Sequence, residues 1–133
     1  MSLFTQPYHD AVAQLTGPGA PFEVINCSIE GLSLKAFSQA HSSLSDYLNG
    51  GRQHGGKLLL QYQGVTWSFK DFFTAADRLS HWLVTEGNIT AGTPVAIAMR
   101  NRPEWLIAFV AIINVGGIAV PLNSWGKSAE LEQ

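Results

Sequence analysis

PVAIAMRNRPEWLIAFVAIINVGGIAVPL, residues 94–122, decides the fold of this chain. Residues 94–99 are an apolar run bounded by turn-forming residues, which predicts a buried strand. Asn101-Arg102-Pro103 then marks a helix start. Asn101 or Arg102 would be the cap, and Pro103 would sit in the first turn, where its missing N–H costs nothing. Glu104 complements the positive helix end. Residues 106–115 are apolar on nearly every face, interrupted only by Asn114, which predicts a helix buried on both sides. Gly116-Gly117 ends it, and the short β-branched run 118–122 predicts a second strand. Strand, helix and strand with short connections predict a right-handed crossover onto a parallel sheet. Residues 105–122 also approach bilayer-spanning length. Asn114, the glycine pair and the β-branched ending favour a buried helix and strand over a membrane span.

Upstream, Ser68 with Asp71 three residues on predicts a capped helix over residues 69–86. Phe72, Ala76, Leu79 and Leu83 recur at helical spacing, with Phe73 and Val84 beside them, as one apolar stripe that would lie on the sheet. Gly87 is expected as the left-handed residue that ends this helix. Residues 58–62 and 65–69 predict two strands joined at Gln63-Gly64. Residues 51–57 predict a polar, mobile loop. Ser43 and Asp46 have capping-box-like spacing for a short helix, which Asn49-Gly50-Gly51 would end.

Nearer the N-terminus the signals weaken. Tyr8, Val12 and Leu15 stand at near-helical spacing until the Gly- and Pro-rich stretch 16–21. Residues 22–27 and 34–37 could be short strands about a turn at 30–32. The expected organisation is an irregular N-terminal wrap over residues 1–50 and an incomplete α/β sheet subdomain over residues 51–133. The fold class is α/β, a partial parallel sheet with crossover helices.

The 133 residues suffice for one domain. An apolar fraction of 46% argues against disorder, whereas a charged fraction of 14% is low beside about 25% for a typical soluble domain. That deficit suggests a surface meant to be covered. With net charge −2 and no run of Lys or Arg, a nucleic-acid groove is not expected. Cys27 is the only cysteine, so no disulfide forms within the chain, and a reducing, cytoplasmic location is the simplest reading. Nothing basic in sequence near Cys27 would activate its thiol. His81 reads as a solvated helix position, without a second histidine or carboxylate at metal-ligand spacing.

One site follows from topology. Ligands of open α/β sheets bind beyond the carboxyl ends of the strands. The two predicted parallel strands end at Arg100-Asn101-Arg102 and at Asn123-Ser124, so Arg100, Asn101, Arg102, Asn123 and Ser124 form a candidate sheet-edge site of cations and amides. The more economical reading is that Asn101 and Asn123 cap helices and the arginines are solvated.

Several segments together resemble the start of the large domain of the adenylate-forming, AMP-binding acyl-CoA synthetases. Gly64-Val65-Thr66-Trp67-Ser68-Phe69 is similar to that family's aromatic strand-to-helix transition. Ala91-Gly92 followed by Val95-Ala96-Ile97 resembles its Gly-Asp-x-Val strand start, with Thr93 in place of Asp. Asn101-Arg102-Pro103-Glu104-Trp105 resembles its Asn-x-Pro-Glu-aromatic helix start, and Val120-Pro121-Leu122-Asn123 its Val-Pro-Leu-Asn strand. Glu130-Leu131 resembles the opening of the following helix, although Lys127 stands where a capping Thr or Ser is usual. Asn123-Ser124-Trp125 is most similar to the fatty acyl-CoA ligase branch.

The resemblance implies an enzyme that joins a carboxylic acid to AMP with ATP and magnesium, then passes the acyl group to coenzyme A. The segments that do this would come later in such an enzyme. No Ser/Thr-Gly-rich phosphate loop followed by Pro-Lys-Gly occurs in these residues, so no catalytic, cofactor-binding or metal residue is assigned. The expected role is structural: part of one parallel sheet and a wall of the acyl pocket, with the rest of the synthetase chain as partner and self-association of the segment alone. The competing expectation is a free-standing small α/β interaction or ligand-binding module.

Overall fold

A computed structural model describes residues 5–123, in two units divided between Ser42 and Ser43. The first contains helix α1 (Thr5–Thr16) and a hairpin of β1 (Val24–Ile29) and β2 (Leu32–Phe37). The hairpin is regular where an irregular wrap is expected. Its turn places Glu30 at φ 52° and Gly31 at φ 82°, the pair of left-handed residues that matches the twist of two antiparallel strands. Glutamate is an uncommon residue there, which is why the sequence signal is weak. The register Ile25↔Ala36, Cys27↔Leu34, Ile29↔Leu32 puts six apolar side chains on one face, and Asn26, Ser28, Ser33 and Lys35 on the other. That apolar face is open: Leu32 is 66% exposed and Ile29 55%.

The second unit begins with α2 (Leu44–Asn49), capped by Ser43, whose Oγ accepts the Asp46 N–H at 3.0 Å. A 3₁₀ turn over Gly50–His54 follows directly, where a mobile loop is expected. It is pinned by Arg52. The guanidinium donates to both carboxylate oxygens of Asp77, its Nε donates to Asn49 Oδ1 at 2.7 Å, and its carbon lies 4.5 Å from the centre of the Phe73 ring. Asn49 Nδ2 in turn donates to Asn114 Oδ1 at 2.8 Å, and Ser45 Oγ to the same oxygen at 3.0 Å. These long-range bonds hold residues 43–50 within the second unit.

β3 (Leu58–Tyr62) and β4 (Val65–Ser68) pair antiparallel about Gln63 and Gly64, at φ 48° and 81°. Ser68 then caps α3 (Phe69–Thr85) through the Asp71 N–H, at 3.1 Å. Beyond α3 the left-handed residue is Asn88 at φ 50°, not Gly87. Glycine is needed at 87 for space: a Cβ there would lie 2.8 Å from the Leu83 carbonyl oxygen, which accepts the Ile89 N–H at 2.9 Å.

β5 (Pro94–Ile97) and β6 (Ile118–Pro121) pair in parallel, Ile97 opposite Pro121, with α4 (Pro103–Asn114) between them in sequence. The core is the seam between α3 and α4. Phe72, Phe73, Ala76, Ile107 and Val110 form one buried cluster. Leu83, Ile97, Ala108, Ala111 and Ile112 form a second. Leu79 and Phe109 pack against both. Ala76 and Ala111 are fully buried, so the helices approach closely where their side chains are smallest. The stripe on α3 therefore meets chiefly α4, reaching the strand at Ile97 through Leu83. Val84 is half exposed, outside the stripe. Helix α4 is not buried all round either, since Leu106 is 43% exposed. On the parallel pair, Ile118 and Val120 face away from α4 and remain open.

Candidate functional site

The ends of β5 and β6 lie side by side: the Leu122 N–H donates to the Ile97 carbonyl at 3.1 Å. Residues 98–102 and Asn123 thus leave the sheet at one edge. Ser124 lies outside the described residues. Arg102, not Asn101, occupies the cap position of α4, in an extended conformation with φ −138° and ψ 159°. A guanidinium has no acceptor, so it cannot cap, and no side-chain cap bond forms. Of the two expected cap residues, Arg102 takes the position and Asn101 precedes it. Its neighbour Pro103 opens the helix because the first turn leaves its missing N–H without consequence. Arg102 Nε stands 3.8 Å from Glu104 Oε2 with both side chains more than half exposed, a pairing worth at most about 1 kcal/mol.

The structure brings Asn101 and Arg102 together at one end of a trench between β3 and α4, and leaves Arg100 and Asn123 out of its lining. One part of the trench, about 330 Å³, runs from these two residues past Tyr62, Leu60 and Leu106. A second part, about 390 Å³, is lined by Leu48, Leu59, Phe69 and Phe109 over the buried Phe72 and Phe73. Leu60, Trp105 and Leu106 line both. Trp105 and Phe109 stack with centroids 5.5 Å apart and planes within 7°, which gives α4 a flat aromatic wall. The sequence hides this feature. A helix apolar on every side reads as fully enclosed, and only its register against β3 shows which flank stays open.

Another charged cluster among the described residues is the Arg52–Asp77 pair. Hydrogen bonding from Arg52 holds the Asp77 carboxyl below its ordinary value, and the same bond raises the Arg52 guanidinium. Both ends are occupied by the structural network, so the pair is a brace for the 3₁₀ turn. Among the described residues no group of three or more His, Cys, Asp or Glu could hold a metal ion. No helix among the described residues is long and apolar enough to cross a membrane.

Residues 49–133 match the family of AMP-binding enzymes. The chain is similar to the very long-chain fatty acid transport protein of Cochliobolus heterostrophus, 36% identical over 64 residues that make up 48% of this chain and 10% of that protein. In structure it is similar to the N-terminal subdomain of NpsA from Klebsiella oxytoca, solved with 3-hydroxyanthranilyl-AMSN, with a TM-score of 0.64 and 20% identity over 68% of this chain and 23% of that one. It is also similar to O-succinylbenzoate coenzyme A synthetase from Bacillus subtilis in complex with AMP, with a TM-score of 0.60 and 28% identity over 64% of this chain and 22% of that one. The chain spans less than a quarter of the length of each of these three. Its fold is that of the N-terminal subdomains of adenylate-forming enzymes. The chain belongs to the family of AMP-binding enzymes.

Proposed function

We propose that these residues are the N-terminal structural part of an ATP-dependent acyl-CoA synthetase that activates a fatty acid, in a reducing, cytoplasmic setting. The observation that carries this reading is the 36% identity to a fatty acid transport protein over 64 residues, alongside a family match that runs from residue 49 to 133. The Asn123-Ser124-Trp125 resemblance to fatty acyl-CoA ligases supports it from the sequence side. The acid would first be joined to AMP with release of pyrophosphate, then transferred to the coenzyme A thiol. ATP, magnesium and coenzyme A would be held by other parts of a longer protein.

What this chain supplies is architecture. The α3–α4 seam holds the β5–β6 pair, and the open side of that pair, with Ile118 53% exposed, suits further cover, because parallel sheets are ordinarily buried on both faces. Alone, the chain would self-associate through such surfaces.

The test is acid-dependent pyrophosphate release by the protein translated through its native reading frame, with straight-chain acids of increasing length and with aromatic acids. The expected result is activity that rises with chain length and product formation that requires coenzyme A. Activity confined to aromatic or amino acids would replace the fatty acid by another carboxylate. A native frame that stops after Gln133 would favour the free-standing module.

A further inference from the structure

The β1–β2 hairpin precedes residue 49, where the match to AMP-binding enzymes begins, so it lies outside the part of the chain shared with that family. Among the described residues 7–42 none is buried. A two-stranded hairpin is at best marginal in water until its apolar face meets another layer. Here that face consists of Ile25, Cys27, Ile29, Leu32, Leu34 and Ala36, with Cys27 opposite Leu34 as the middle pair. Ile25 and Leu34 are 42% and 47% exposed, and Ile29 and Leu32 more than half. None of the six is charged. Asn26 and Lys35, opposite each other in the register, lie on the other face and would stay in water.

The lack of charge points to the partner. A distinct protein is selected by complementary charges at the contact, and this face offers none. Its complement is an uncharged apolar surface of the same outline, which a second copy presents. About a two-fold axis one patch meets itself, the pairing closes at two copies, and no charge is buried on either side. The open side chains amount to roughly 400 Å² per copy, about half of what each partner gives to a standard stable complex. The contact is therefore weak, half-formed at a concentration on the order of 100 μM. At the lower concentrations of a denaturation experiment the chain is a monomer, and substitutions on this face then act on association rather than on stability.

We infer that a second copy of this chain covers the hairpin, the two β1–β2 sheets packing face to face. Sheets packed in this way lie about 10 Å apart, so the Cys27–Leu34 pair of one copy sits over that of the other, with the two thiols within about 10 Å. This contact is independent of which acid the enzyme activates: activity confined to aromatic acids would sink the proposed function and leave the hairpin contact standing.

The experiment is sedimentation equilibrium under reducing conditions. Ile118→Asp sets a charge on the other open surface, at a β6 position 53% exposed, so that the hairpin is left to associate by itself. This variant should pass from one copy to two between about 10 and 1,000 μM and go no further. Adding Leu34→Asp in the middle of the face should weaken the pairing about tenfold or more, and Leu32→Ser about threefold, whereas Lys35→Glu on the polar face should leave it unchanged. Circular dichroism melts confirm that each variant keeps its fold. Should Ile118→Asp or Leu34→Asp unfold, a second readout remains: a short bis-maleimide should join two copies of the unsubstituted chain at Cys27, its only cysteine, and do so less with Leu32→Ser. A monomer at every concentration, pairing indifferent to Leu34→Asp and Leu32→Ser, or an equal loss from Lys35→Glu overturns the inference. So does a protein translated through its native reading frame that stays monomeric while this chain pairs, because its own further residues would then be the cover.

Discussion

The α3–α4 seam and the β1–β2 hairpin are equally regular and differ in what their apolar residues meet. In the seam, every third or fourth side chain of α3 packs into the core shared with α4, and Ile97 beneath is 1% exposed. In the hairpin an equally apolar set, from Ile25 to Ala36, shares one face and is left open. The contrast separates two sources of order. A hairpin is shaped by its turn and its backbone bonds, whereas a helical layer exists through burial.

The sharpest way to break the comparison is a truncation series. Ile97→Ala should cost about 2–5 kcal/mol in chemical denaturation, the usual range for emptying a filled core position. Leu32→Ser, at a hairpin position 66% exposed, should change stability by less than about 0.5 kcal/mol. Comparable losses at both positions would mean that the hairpin face is covered in solution. Overpacking comes next. Ala111→Leu, at a position with no exposed area, should destabilise by about 1–3 kcal/mol as α3 and α4 are forced apart, visible as a lower melting temperature.

Smaller effects sharpen the picture at the helix ends. Arg102→Ser places a capping hydroxyl at a residue already extended and should stabilise the chain by about 0.5–1 kcal/mol. An unchanged or lower melting temperature would show that Arg102 has a role at the sheet end that outweighs capping. The smallest expected effect is at the Arg52–Asp77 brace. Asp77 is held below its ordinary value of 3.8 in the folded state, so its contribution is full above that value and lost as pH falls through the folded one. Its partners are 40% and 53% exposed, so the contribution is at most about 1 kcal/mol. Asp77→Asn should therefore be slightly less stable than the parent near neutral pH, the two converging in strong acid. A constant difference between the melting curves from pH 7 to pH 2 would contradict this assignment.

What the sequence shows plainly is whatever rests on periodicity and local chemistry. The α3 stripe, the Ser43 and Ser68 caps, the Gln63-Gly64 turn and the parallel β5–β6 return are all readable from a few adjacent residues. What it hides depends on partners far along the chain. The 3₁₀ turn at Gly50–His54 is polar and glycine-rich and looks mobile, until Arg52 meets Asp77 twenty-five positions later. Gly87 carries the expected glycine at a helix end, yet close packing on the Leu83 carbonyl decides its identity and Asn88 takes the left-handed turn. The candidate site divides likewise. That Arg102 stands between a strand and a helix is legible from order alone, but the trench it borders lies between α4 and β3, which are distant in sequence.

The central claim, that these residues carry architecture and that nucleotide chemistry lies elsewhere in a longer enzyme, is tested most directly by titrating magnesium ATP into this chain in a calorimeter, with light scattering on the same sample. The account predicts no saturable heat from a self-associating chain. Micromolar, stoichiometric binding by a monomer would contradict it and make the chain a nucleotide-binding module in its own right.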